Sequence, residues 1–219
     1  MERTIRVTGK GRVSVKPDMV RINMTIEDVL PEYDKAISRS AQATESLKDI
    51  FVAFGFERSD LKTKHFHIDT EYESYRDKNN DWKQKFVGYK YVHRMKLEFS
   101  SDNELLGKIL YAVAHAPAKP EFSIEYTVSD PESSKNILLA NAIKDSKEKA
   151  IVLCDAAEVT LGEIITIDYS WGEIDFVTRP MESDLCEMRM MEAPGSYNID
   201  IEPDDIDVTD TVTAVWQIK

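Results

Sequence analysis

His65 and His67 stand two residues apart in a run, Thr63 to Tyr75, whose pattern predicts a β-strand. Side chains at i and i+2 of a strand share a face, so the two imidazoles can fill two corners of a metal polyhedron. Asp69 continues that face as a third donor, and His93 lies on the next predicted strand. His65, His67 and His93 are therefore the expected metal ligands. The competing expectation is a solvent-facing row of polar residues, with Phe66, Ile68 and Tyr72 turned to the core.

Other reactive constellations are missing. The chain has no GxxxxGK[ST] loop, no GxSxG elbow and no HExxH helix, and Gly9-Lys10-Gly11 lacks the third glycine of a dinucleotide fingerprint. Cys154 and Cys186 match no zinc spacing and are expected to be structural or incidental thiols. The carboxylates from Asp200 to Asp210 lack the spacing of a calcium loop and are interrupted by Pro203, so they read as a charged loop. No catalytic residue and no cofactor is expected, and the chain reads as a non-enzyme.

Charge is unevenly placed. The net charge is −12, and the segment from Glu163 to Asp210 holds 14 acidic and 2 basic residues, so the remainder balances. Nucleic acid is excluded as an expected partner, because phosphate affinity comes from clustered Lys and Arg. Within that acidic segment lie Trp171, Phe176, Met181, Met188, Met190 and Met191. Flexible Met and aromatic side chains suit adaptable contact surfaces, so these six are the expected interaction residues. No apolar run approaches the roughly 18 residues of a membrane span. The opening residues lack a basic start and an apolar stretch, which points to the cytoplasm, with the periplasm as the alternative if a signal has been removed.

The elements that must position these groups follow from periodicity. Ile5, Val7, Gly9, Gly11, Val13 and Val15 alternate as a strand, and Val20 to Ile26 resumes the alternation after Pro17. Gly9 and Gly11 on an apolar face predict a bulge or a close crossing. A long amphipathic helix follows Pro31, ending near Gly55; Thr63 to Tyr75 and Phe86 to Ser100 form a hairpin with an exposed polar tip. A second helix runs from Ser101 or Asp102 to about Ala116, then a strand from Phe122 to Val128. A third helix follows Pro131, with small residues on its apolar face. Strands at Ile164 to Tyr169 and Val208 to Ile218 flank a long loop. The expected fold is α+β, with mostly antiparallel sheets packed on three helices and a duplicated βαβ-type unit across the two halves. One domain, 1–219, is expected, with the acidic Met-rich loop at about 171–205.

The opening Ile5-x-Val7-x-Gly9-x-Gly11-x-Val13-x-Val15-x-Pro17-Asp18-x-Val20-x-Ile22 resembles that of the SIMPL domain, once called domain of unknown function 541. Leu61-x-Thr63, Gly88-Tyr89, Phe122-Ser123-Ile124, Ser129-Asp130-Pro131, Lys149-Ala150, Ala156-Ala157, Leu161-Gly162 and Met188-Arg189-Met190 follow in the same order. The resemblance implies an α+β fold, a tendency to large ring-like or channel-like oligomers in bacterial envelope members, and links to signalling in others. It supplies no catalytic residues. The reading is a homo-oligomeric assembly or protein-interaction module tied to stress response or the cell envelope. Its alternative is a metal or small-ligand binding protein using the His65/His67 hairpin face.

Overall fold

The computed structural model describes residues 3–169, 174–178, 181–182, 192–193, 196–197 and 201–219. The chain divides into two compact units. The first comprises 1–18, 127–178 and 203–219; the second comprises 19–126 and 179–202. Together they make an α+β fold whose main sheets are a three-stranded and a five-stranded one.

In the first unit, β1 (Thr4–Val15) pairs antiparallel with β10 (Ile206–Ile218), which pairs antiparallel with β6 (Leu161–Asp168). Helix α3 (Pro131–Ala156) begins on Asp130, whose carboxylate accepts the Ser133 N–H at 3.0 Å, with Pro131 in the first turn where no N–H is needed. Its buried residues, Ser134, Leu138, Ala142, Ser146, Ala150 and Cys154, recur every fourth position. That small stripe lies on β1 at Gly9 and Gly11, where an added Cβ would overlap the carbonyls of Ala142 and Leu138. The predicted close crossing is thus α3 over β1. Neighbouring polar residues of α3 also serve the β1 backbone: Asp145 accepts the Lys10 N–H at 2.6 Å and Asn141 donates to the Arg12 carbonyl at 3.0 Å. A helix covering unpaired backbone groups protects an edge strand from wrong pairing.

The second unit orders its strands β3-β4-β2-β5-β7, where β2 is Met19–Leu30, β3 Lys62–Arg76, β4 Trp82–Ser100, β5 Glu121–Thr127 and β7 Met181–Glu182. Helix α1 (Tyr33–Ala53) links β2 to β3, and α2 (Asn103–Ala114) links β4 to β5. β2 and β3 both run antiparallel to β4 and are therefore parallel to each other. This is a split βαβ arrangement of β-α-β-β-α-β order. The strand-helix-strand repeat expected across the two halves of the chain thus falls inside one unit. Short β8 (Glu192–Ala193) and β9 (Ser196–Tyr197) pair with each other.

Alternation makes the second core. Val20, Ile22, Met24 and Ile26 of β2 are at most 2% exposed and pack with Met95, Leu97 and Phe99 of β4, Leu47 and Phe51 of α1, and Leu106 and Ile109 of α2. Asp102 caps α2 by accepting from the Glu104 and Leu105 N–H groups at 2.9 and 3.0 Å. α1 closes on Gly55 at φ 91°, with Phe56 N–H donating to the Phe51 carbonyl and the two rings in edge contact at 6.4 Å.

Candidate functional site

Because β2 buries one face, Arg21, Asn23, Thr25 and Glu27 must line the other. Register extends that face across the sheet: Thr25 stands beside Arg94 and Glu27 beside Val92 on β4. His65 in turn stands beside Arg94, His67 beside Val92 and Asp69 beside Lys90. The result is a polar sheet face with a histidine pair at one side.

His65 and His67 come together there. His65 Nε2 and His67 Nδ1 are 2.8 Å apart and the ring centroids 4.8 Å apart. Asp69 Oδ2 lies 3.6 Å from His67 Nε2. The depression beside His67 is lined by Glu27, Asp69, Glu71 and Glu121 against two cations, Lys90 and Arg94. Its field favours a cation. Lys90 bonds Glu27 at 3.0 Å, and that hydrogen bond raises the lysine's pKa.

His93 does not join the pair. It stands opposite Phe66, with the rings 5.2 Å apart, on the other side of the sheet from His65 and His67. Its side chain is buried. Nε2 meets the Thr63 hydroxyl at 2.8 Å, and Nδ1 meets Thr44 at 3.1 Å and Ser40 at 3.4 Å. Burial, aided by the charge of Lys48, pushes its pKa down. Both nitrogens are committed to hydroxyls, so His93 is a core residue here. The signal was present in the sequence: Tyr91, His93, Met95, Leu97 and Phe99 share one parity. Among the described residues no group of three or more His, Cys, Asp or Glu is placed to hold a metal ion.

Elsewhere on the polar face, Arg21 bonds Glu98 at 2.6 Å and reaches Glu125 at 3.5 Å, while Lys96 bonds Glu98 at 2.9 Å. Burial pushes Glu98 up, but Lys96 and Arg21 together hold it below its ordinary range. Sequence reading missed this network, because its members are far apart in the chain.

It also missed an aromatic ribbon. β2 ends opposite Tyr89, so residues 82–88 of β4 pair only with β3 and project past the sheet as two strands. Trp82, Tyr72, Tyr75 and Phe86 are 67, 51, 45 and 41% exposed. The rings of Tyr72, Phe86, Tyr89 and Tyr33 form a row, at 5.7 Å from Tyr72 to Phe86, 5.4 Å from Phe86 to Tyr89 and 5.5 Å from Tyr89 to Tyr33. Tyr75, opposite Lys83, belongs to the other face of the ribbon. The Arg76 guanidinium covers the Trp82 ring at 4.9 Å.

Of the expected interaction residues, Phe176 is buried at 2% exposure with Val128 and Ile206, and its carbonyl accepts the Thr127 hydroxyl at 2.6 Å. It is a core residue of the first unit, drawn inward by its apolar ring. The Met181 backbone pairs with Ile124 in β7. Trp171, Met188, Met190 and Met191 lie outside the described residues.

The model of one protein family, SIMPL, matches residues 5–216. The chain belongs to the SIMPL family. That family is described as a protein of unknown function (DUF541), and its match spans residues of both units. This SIMPL chain is similar to the "26 kDa periplasmic immunogenic protein" of Brucella melitensis biotype 1 and to that of Brucella abortus. Each is 26% identical over 218 residues, covering 98% of this chain and 84% of the relative. Among the described residues no helix is long and apolar enough to cross a membrane.

Proposed function

We propose that this SIMPL chain is a non-catalytic assembly module of the cell envelope, resident in the periplasm, that associates with copies of itself through its aromatic ribbon. The carrying observation is that ribbon: two strands projecting past the sheet with Trp82, Tyr72 and Phe86 exposed on one face. A two-stranded ribbon is marginal on its own, and a contiguous exposed apolar patch marks a contact surface. The two units act as one SIMPL domain, in keeping with a family match over residues 5–216. Trp171, Met181, Met188, Met190 and Met191 are further contact residues in this reading, on the ground of residue type alone. The periplasm replaces the cytoplasm expected from the N-terminus, because the Brucella relatives are named as periplasmic.

The paired substitution Trp82→Ser and Phe86→Ser tests the reading. Both side chains are exposed, so the fold should survive, checked by circular dichroism. The expected result is a smaller particle by analytical ultracentrifugation than the wild type gives; an unchanged particle size would reject the ribbon as the contact.

A further inference from the structure

We infer that His65 and His67 form a two-nitrogen chelate for a divalent transition-metal ion, copper(II) above all, on the polar face of the five-stranded sheet. Three observations carry it.

The first is the bite. His65 Nε2 and His67 Nδ1 converge at 2.8 Å. Two nitrogens each about 2.0 Å from a metal and at right angles to each other are about 2.8 Å apart, whereas a tetrahedral pair needs about 3.3 Å. The observed separation fits adjacent corners of a square-planar site. That geometry is characteristic of copper(II) and nickel(II), and copper(II) forms the stronger nitrogen complexes.

The second is the proton inventory. Asp69 Oδ2, 3.6 Å from His67 Nε2, favours the proton on that nitrogen and leaves the lone pair on Nδ1. His65 Nε2 then carries the single proton between the rings. On metal entry that proton passes to His65 Nδ1, and both facing nitrogens present lone pairs. A carboxylate behind a ligating imidazole is the usual outer-sphere arrangement.

The third is the field. The depression that His67 lines holds four carboxylates against Lys90 and Arg94. Arg94 beside His65 and Lys64 nearby oppose the ion, so the site is an open, exchangeable one with water completing the square.

The test is titration of copper(II) chloride into the full chain in a non-coordinating sulfonate buffer, with electron paramagnetic resonance of the loaded protein. One copper per chain with nitrogen hyperfine structure is expected. His65→Gln and His67→Gln should each loosen binding by roughly tenfold or more, and Asp69→Asn by roughly tenfold. His115→Gln, on α2, should change nothing. Copper uptake unchanged in the His65→Gln/His67→Gln double variant would overturn the assignment, as would a spectrum without nitrogen coupling. Both histidines lie on an exposed strand face, so the variants should retain the wild-type circular dichroism. Metal uptake is read on the chain whatever its oligomeric state, so this result and that of the ribbon substitutions stand apart.

Discussion

Gly9 lies against the Ala142 carbonyl so closely that a Cβ on residue 9 would overlap the oxygen, with the Ser146 nitrogen only 2.5 Å away. The small stripe of α3 and the glycines of β1 are thus two halves of one packing solution. Gly9→Ala must push a helix backbone off a strand and is expected to cost about 3 kcal/mol. Gly55→Ala meets no atom within 4 Å and carries only the penalty of φ 91°, about 1 kcal/mol. Urea unfolding of both variants should return that order.

Helix α3 ends at a left-handed residue that is not glycine: Glu158 has φ 54°, while Val159 N–H bonds the Cys154 carbonyl at 3.0 Å. Glu158→Gly should therefore raise stability by about 1 kcal/mol, readable as a higher urea midpoint.

His93 makes stability depend on pH. Its folded pKa lies below the ordinary 6.5, first because it is buried and second because Lys48 is near. As pH falls through about 6.5 the unfolded chain takes up a proton that the folded chain refuses, so stability is lost on the acid side. The loss continues until pH reaches the lower folded pKa. His93→Gln should flatten this part of the curve, measured by urea midpoints between pH 7.5 and 4.5 set against wild type.

Arg21 sits between Glu98 and Glu125 with its side chain 22% exposed. Arg21→Ala leaves two half-buried carboxylates facing each other's charge and should cost about 2 kcal/mol. Cutting the exposed Lys108–Glu104 pair, joined at i,i+4, should cost less than about 0.5 kcal/mol. Thermal unfolding of Arg21→Ala beside Lys108→Ala would separate the two.

Strands with a core were readable because burial imposes a period of two. Val20 to Ile26 and Tyr91 to Phe99 are found where their alternation places them. β4 begins at Trp82, four residues before the expected Phe86, because Trp82-Lys83-Gln84-Lys85 has no core to alternate against. The polar face was legible only through the two histidines. Arg94 and Arg21 gain their meaning from register, which a bulge between Thr63 and His65 helps to set, and a one-residue shift turns a whole strand over. Phe176 was misread for a related reason: an aromatic residue in an acidic segment looks exposed until the fold supplies Val128 and Ile206 beside it.

The proposed assembly makes one demand of the whole molecule, that the aromatic face of its ribbon be covered in solution. Light scattering coupled to size exclusion measures this directly on the unmodified chain of 25.1 kDa. A mass of two or more whole chains, stable on dilution, is the expected result; a single-chain mass at the highest soluble concentration would contradict assembly.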